Sequence, residues 1–379
     1  MHILVLPSWY ITKHNLISGI FFKEQAEALV KYNNKVGIIA IQEISINETI
    51  KLQQNNFTYK KFIENDILTY ILYYPAIPKF HKIGKKVKKS LFAKLFKQYI
   101  QEKGIPDIIH LHSYINGEMA IWIKENYNIP YVVTEHLSGF ARGTVTPHNM
   151  DKAKKVFKLS ECNIAVSNQL TQLLEDKMNN EFVYIPNFVN IDFFKMKVDI
   201  ENNSFKFINI AFLNKNKNQA MLIKAFYKAF KNKPIISLTI AGDGPEYNNL
   251  KQLIEELNLE EQVFLYGRAS REEVKNLLHD SNAFVLSSQY ETFGVVIIEA
   301  LACGLPVIAT KCGGPESIIT NGVGLLSDIN EDSLSENLMW MVEKRSTYDS
   351  SYIRNYAKNN FSEEAVISKL NDVYKKVLK

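Results

Sequence analysis

Short apolar runs rich in Ile, Val and Tyr alternate along this chain with longer segments whose apolar residues return every three or four positions. The first pattern reads as strand and the second as amphipathic helix, and their alternation marks βαβ units around a parallel sheet. Two such series occur. The first places strands at 2–6, 36–41, 68–73, 107–111, 131–135, 163–166 and 182–185, with helices between them such as Phe21 to Lys31. The second places strands at 206–213, 235–241, 263–266, 283–287, 306–310 and 323–326. Between them Val189 to Ser204 is polar and aperiodic and reads as a linker, separating an N-terminal domain of residues 1–188 from a C-terminal domain of residues 205–360. A last helix is expected over 361–379, with Ser362 as its N-cap and Val366, Leu370, Val373, Tyr374 and Val377 on its apolar stripe. It is expected to pack back on the N-terminal domain.

The length agrees with this division, since 379 residues at roughly 150 per domain ask for two domains. With 46% apolar and 22% charged residues the chain is too apolar for disorder and too evenly mixed for a coiled coil. Three scattered cysteines, Cys162, Cys303 and Cys312, exclude a disulfide framework or a structural zinc site and favour a reducing compartment. The N-terminal run lacks the basic flank and apolar length of a signal peptide, and Thr292 to Thr310 is broken by Glu299, Gly304 and Pro306. A cytoplasmic location is therefore expected, with association at the inner face of the membrane left open.

The net charge of +5 suggests anionic ligands without demanding nucleic acid. Its distribution says more. Lys79, Lys82, Lys85, Lys86, Lys88, Lys89, Lys94, Lys97 and Lys103 surround Ile83, Val87, Leu91, Phe92, Leu95, Phe96 and Tyr99, an amphipathic helix with a cationic face. Such a face is either simply solvated or a seat on an anionic membrane.

Candidate chemistry concentrates in the run from Ser287 to Thr310. A strand ends at Ser287, a turn carries Glu291, and a helix is expected from about Phe293 to Cys303, where Gly304 and Pro306 stop it. Its N-terminus offers free N–H groups near Thr292 to Val295, with Gly294 letting an anion approach the backbone closely, a cradle for phosphate. Glu291 and Glu299 then suit hydroxyl partners: one a ribose diol, the other a sugar. The opposing reading is an ordinary buried helix with two surface acids. His136 follows an apolar strand and sits at its carboxyl end; His110 and His112 share a strand face but lack an apparent third metal ligand, so one core and one cleft histidine are expected. Gly242-Asp243-Gly244-Pro245-Glu246 and Gly313-Gly314-Pro315-Glu316 read as strand-to-helix turns with Pro at the first helical position. No dinucleotide fingerprint or P-loop is present.

The segment from Glu291 to Glu299 resembles the Glu-x7-Glu motif of the family 4 glycosyltransferases. Pro7-Ser8-Trp9-Tyr10 with Ser18-Gly19-Ile20-Phe21, Asp107 to His112, Thr134-Glu135-His136, Ile185-Pro186-Asn187, Ala241 to Glu246 and Lys311 to Glu316 follow in that family's order, so the resemblance covers nearly the whole chain. It implies an α/β architecture of GT-B type, two facing Rossmann-like domains with a cleft between them and a C-terminal helix. It further implies a retaining, metal-independent enzyme without cofactor. Such an enzyme moves a sugar from a nucleotide diphosphate sugar, with UDP the expected nucleotide, to a glycan or lipid-linked acceptor in cell-surface polysaccharide biosynthesis. Carried over residue by residue, Glu299 binds the ribose, Glu291 contacts the donor sugar, and the backbone of Thr292, Phe293 and Gly294 meets the diphosphate. His136 touches the donor in the reaction centre, Gly19 lies near the diphosphate, and Lys217 holds it. The chain departs from the pattern at Phe212, where the family commonly has an arginine; Lys215 or Arg268 are the candidates for that second charge. A nucleotide-sugar epimerase, a phosphorylase or a non-catalytic sugar-nucleotide binder are the alternative readings.

Overall fold

The computed structural model describes residues 1–11, 19–44, 59–75, 81–196 and 204–379. Ser18, Lys79 and residues 197–203 of the expected linker lie outside the described residues, as do the side chains of Lys82 and Lys85. The chain divides into two compact units, the first made of Met1–Val166, Thr171–Ile185 and Ile367–Lys379, the second of Ser167–Leu170 and Pro186–Val366.

The first unit holds an eight-stranded sheet in the order β3-β4-β2-β1-β5-β6-β7-β8. These strands are β1 (His2–Pro7), β2 (Lys35–Ile44), β3 (Tyr59–Glu64), β4 (Ile67–Pro75), β5 (Ile108–His112), β6 (Tyr131–Glu135), β7 (Cys162–Ala165) and β8 (Val183–Tyr184). All neighbours run parallel except β3 and β4. β1, β5 and β6 are buried along their whole length, as expected of strands covered by helices on both faces. β3 has no counterpart among the sequence-expected strands. Its Lys60, Lys61 and Glu64 break the apolar alternation because it is a charged edge strand that needs no second covered face. The signal that marks it is Asn65-Asp66, both at positive φ (49° and 63°), the two-residue turn of a hairpin into β4.

The second unit holds a six-stranded, wholly parallel sheet in the order β11-β10-β9-β12-β13-β14. Its strands are β9 (Phe205–Ile210), β10 (Ile236–Ala241), β11 (Val263–Gly267), β12 (Ala283–Leu286), β13 (Val307–Thr310) and β14 (Gly324–Ser327). That is the doubly wound order in which the chain reverses direction between the first strand and the fourth.

Three sequence expectations change. Part of the expected linker is packed into the second unit: Val189 and Phe194 are buried, and the Arg354 guanidinium donates to the carbonyls of Ile191 (3.0 Å) and Phe194 (2.7 Å). The polar residues around them hid two anchors. Pro245 does not open a helix, because Tyr247–Glu256 starts only after Glu246; Pro315 opens only the short 3-10 turn Gly314–Ser317. Lys88 leaves the cationic face altogether. The helix His81–Lys103 turns it inward, where its ammonium donates to Glu43 (3.0 Å) and Asn116 (3.1 Å), a burial tolerated because the charge is paired. The last helix, Glu363–Val377, is capped by Ser362, whose hydroxyl accepts from the Ala365 N–H at 3.2 Å. Tyr374 bonds His110 of the first unit's sheet, and Asn371 accepts from Asn34 in the turn that leads into β2.

Candidate active site

In the second unit the sheet reverses between β9 and β12, so the loops that follow these strands splay apart only after running side by side. Hydrogen bonds lace them together. Asn214 accepts from the Lys217 N–H at 3.0 Å, the Ser287 hydroxyl donates to the Lys217 carbonyl at 2.9 Å, and the Asn216 amide donates to the Tyr290 carbonyl at 2.9 Å. This lacing delivers two side chains of opposite charge. The Lys217 ammonium donates to a carboxylate oxygen of Glu291, and the Ser288 hydroxyl donates to the same oxygen at 2.7 Å. Both charged side chains keep some solvent contact, 24% of Lys217 and 12% of Glu291, so the pair is accessible to a ligand.

The backbone of Glu291 is held from the other side. Its N–H donates to the Cys312 carbonyl and its own carbonyl accepts from Gly314. A Cβ on Gly314 would lie 2.4 Å from the backbone of Phe293, so only glycine lets these two loops close on each other. Gly313 and Gly314 therefore shape the turn that carries Glu291, and the turn runs on through Thr292 and buried Phe293 to Gly294. Gly294 is the N-cap of the helix Val295–Ala302 in left-handed conformation, with no side chain capping it. The Ile297 N–H turns back to the Gly294 carbonyl at 2.9 Å, which leaves the N–H groups ahead of it, at Val295 and Val296, for an external acceptor. Glu299 is half-buried one turn into the same helix.

Not every expected residue joins them. Arg268 is exposed and follows β11, with β10 between it and β9. Lys215 is exposed on the laced loop, and Phe212, in place of a cation, is 58% exposed at the end of β9. Ser287, Ser288, Asn214 and Asn216 are the positions that the sequence pattern assigned no role; their signal is polar residues in the loops after two neighbouring strands.

The first unit has its own reversal, between β1 and β5, and a histidine cluster at the carboxyl ends of β5 and β6. His110 and His112 are both wholly buried, so neither is a cleft histidine in this unit. Their rings stack at 4.2 Å between centroids. The His110 ring meets Thr134 Oγ1 at 2.8 Å and Tyr374 Oη at 2.6 Å. His112 Nδ1 meets His136 Nε2 at 3.1 Å. Burial pushes the His110 imidazole down to about 3 and that of His112 well below its usual range, with His110 and His136 adding to the latter. His136, partly exposed by its position at the strand end, is lowered in the same direction. The cluster is neutral at physiological pH.

Two devices hold it. Glu135, wholly buried, accepts from the N–H groups of His136 (2.9 Å), Leu137 (2.9 Å) and Tyr114 (3.1 Å), and burial still raises its carboxyl. Gly19, at φ 77°, caps the helix Ile20–Lys31 and lies so close to Trp9 that a Cβ would sit 2.8 Å from its carbonyl oxygen. That cap delivers Phe21 and Phe22, whose rings lie 5.1 Å from His136 and 4.5 Å from His112. Among the described residues no group of three or more His, Cys, Asp or Glu is placed to hold a metal ion.

Two family models match the chain in succession: Glycosyltransferase Family 4 over residues 57–193 and Glycosyl transferases group 1 over residues 190–360. An uncharacterized glycosyltransferase of Methanocaldococcus jannaschii is 27% identical over 320 residues, covering 82% of this chain and 86% of that protein. An alpha-monoglucosyldiacylglycerol synthase of Acholeplasma laidlawii is 26% identical over 284 residues, covering 66% and 71%. The solved structure of Anabaena HepE in complex with UDP superposes with a TM-score of 0.77 at 19% identity, over 99% of this chain and all of that one. Its match is one of fold, that of the GT-B glycosyltransferases; the two family models, which together span residues 57–360 in sequence order, make this chain a member of the family 4 glycosyltransferases.

Proposed function

We propose that this glycosyltransferase is a retaining, metal-independent enzyme that moves a sugar from UDP to a hydroxyl of a glycan or glycolipid in cell-surface polysaccharide assembly. The observation that carries this reading is the Lys217 and Glu291 pair, beside an uncapped helix N-terminus, at the reversal of the second sheet. Lys217 and the helix N-terminus supply positive potential where a diphosphate would sit. The diphosphate competes with Glu291 for the Lys217 ammonium. Glu291, so released, accepts from hydroxyls of the donor sugar, and Glu299 accepts from the ribose diol. As the glycosidic bond breaks, negative charge gathers on the diphosphate, and contacts that strengthen there raise kcat rather than tighten the ground state. The acceptor hydroxyl attacks from the face that the phosphate leaves, and the departing phosphate takes its proton. The structure of HepE with UDP supports UDP as the base.

A thermal-shift panel of nucleotide sugars tests the reading. UDP-sugars are expected to raise the unfolding temperature, since saturation at a hundredfold excess over Kd stabilises by about 2.7 kcal/mol. A response confined to ADP- or GDP-sugars would replace the base, and a flat response to all would remove the donor site. Donor incubated without acceptor must not yield a new epimer.

The lipid acceptor has separate support. The helix His81–Lys103 has no acidic residue before Glu102, and its Lys86, Lys89, Lys94 and Lys97 are exposed. Each lysine near an anionic surface contributes about 1 kcal/mol. A relative named for making a monoglucosyldiacylglycerol points the same way. Vesicles with anionic lipid are expected to float the wild type at low salt but not a variant with those four lysines changed to Gln; flotation that ignores salt or the substitutions would leave the face merely solvated. No helix among the described residues is long and apolar enough to cross a membrane.

A further inference from the structure

We propose that His112 is a positioning residue that locks His136 as a neutral imidazole carrying its proton on Nδ1, so that His136 meets its ligand as a hydrogen-bond donor. The inference rests on the reading of His136 as a donor-site residue and adds what form it takes there.

The argument begins with strand register. His112 pairs with Thr134 across β5 and β6, which sets His136 two residues beyond, on the same side of the sheet. The two rings then meet nitrogen to nitrogen, His112 Nδ1 to His136 Nε2 at 3.1 Å, with ring planes 34° apart. A contact between two imidazole nitrogens holds one proton: one ring donates and the other must offer a lone pair. Two arrangements satisfy it. If His136 donated from Nε2, then His112 would carry its remaining proton on its own Nε2. That atom is wholly buried and has no hydrogen-bond partner. A buried N–H without a partner is the rarer and costlier orphan; a buried lone pair is the tolerated one. The proton between the rings therefore belongs to His112 Nδ1, His136 accepts it at Nε2, and the His136 proton resides on Nδ1.

The surroundings keep this choice. Phe22 and the stacked His110 ring cover His112, and Phe21 stands against His136. His110 is engaged at both nitrogens, by Thr134 and Tyr374, and cannot turn to rescue the bare nitrogen of His112. The titratable groups that face the pair are His110 and, through it, Tyr374; the Glu135 carboxylate next to it is spent on backbone N–H groups. No cation in the cluster competes for the His136 lone pair. An Nδ1–H on a neutral ring suits an oxygen acceptor such as a phosphate or a sugar hydroxyl, and does not serve as a base.

Nitrogen-15 NMR of histidine-labelled protein without ligand reads the tautomer directly and needs no variant. The pattern of two-bond couplings is expected to show His136 protonated on Nδ1; protonation on Nε2 overturns the proposal. Two variants extend the test. His112→Asn keeps an amide N–H where Nδ1 donates and is expected to retain the His136 tautomer and most of kcat. His112→Phe keeps the ring and removes the donor; it is expected to move the His136 proton to Nε2 and lower kcat at least tenfold, with donor KM nearly unchanged. Equal kcat in both variants overturns the positioning role. An absence of donor turnover in wild type would instead strike the functional reading and leave the tautomer result standing.

Discussion

Both units carry polar clusters at the carboxyl ends of strands beside a sheet reversal, yet their electrostatics are opposite. In the second unit Lys217 and Glu291 are charged, paired and partly wet, with a serine hydroxyl and an uncapped helix beside them. In the first unit His110 and His112 are dry, stacked and neutral, and the nearby Glu135 carboxylate is consumed by three backbone N–H groups. Topology supplies the place, and burial decides the chemistry. A charge with the role proposed for Lys217 has to stay hydrated or paired until a ligand arrives, because desolvation without a partner costs several kcal/mol. A group that must hold one orientation gains from being sealed in.

The comparison breaks most easily at Lys217. On the proposed role, Lys217→Ala removes the charge that would meet the developing negative charge and leaves Glu291 without its Lys217 partner, so kcat is expected to fall about a hundredfold to a thousandfold, the range of a lost transition-state donor. Donor KM should rise far less. A variant with normal kcat and only a raised KM would make Lys217 a ground-state contact. Glu299→Gln is the milder test of the same unit. It keeps shape and, on the proposed ribose contact, loses a charge-assisted bond of about 1.5–3 kcal/mol, so donor affinity by calorimetry is expected to weaken roughly tenfold to a hundredfold. Unchanged affinity would take Glu299 out of the site.

Acid sharpens the contrast through the first unit. His110 is held in the fold at about 3, against an unfolded value near 6.5, and His112 and His136 are shifted in the same direction. Between those limits the unfolded chain binds more protons than the folded one, so stability is full above about pH 6.5 and declines as pH falls toward 3. Glu135, raised by burial, acts in the opposite sense as a single group against three. Urea midpoints are expected to hold nearly level from pH 7.5 to about 6.5 and to drop from there to pH 5, roughly the upper part of that window. A midpoint that stays level would mean that the histidines take up protons inside the fold.

Much of this was legible from periodicity and spacing because the elements are local. Strand and helix positions follow from apolar repeats, and the turn from Glu291 to Gly294 follows from one contiguous run. β3 was not, since a charged edge strand shows no alternation, although the Asn65-Asp66 turn was there to be read. Lys88 misled for the complementary reason: a lysine among lysines gives no sign that Glu43, far along the chain, waits to bury it.

By itself the sequence determined the two series of βαβ units, the motif order and the residue types available for phosphate and hydroxyl recognition. All of these depend on neighbours a few positions apart. Only the tertiary structure decided which side chains meet. Lys217 reaches Glu291 across 74 positions, and Tyr374 reaches His110 across 264. Pairings at such separations are set by sheet order and helix packing, and so is the dryness that makes the histidines neutral; a residue's burial is a property of everything folded around it.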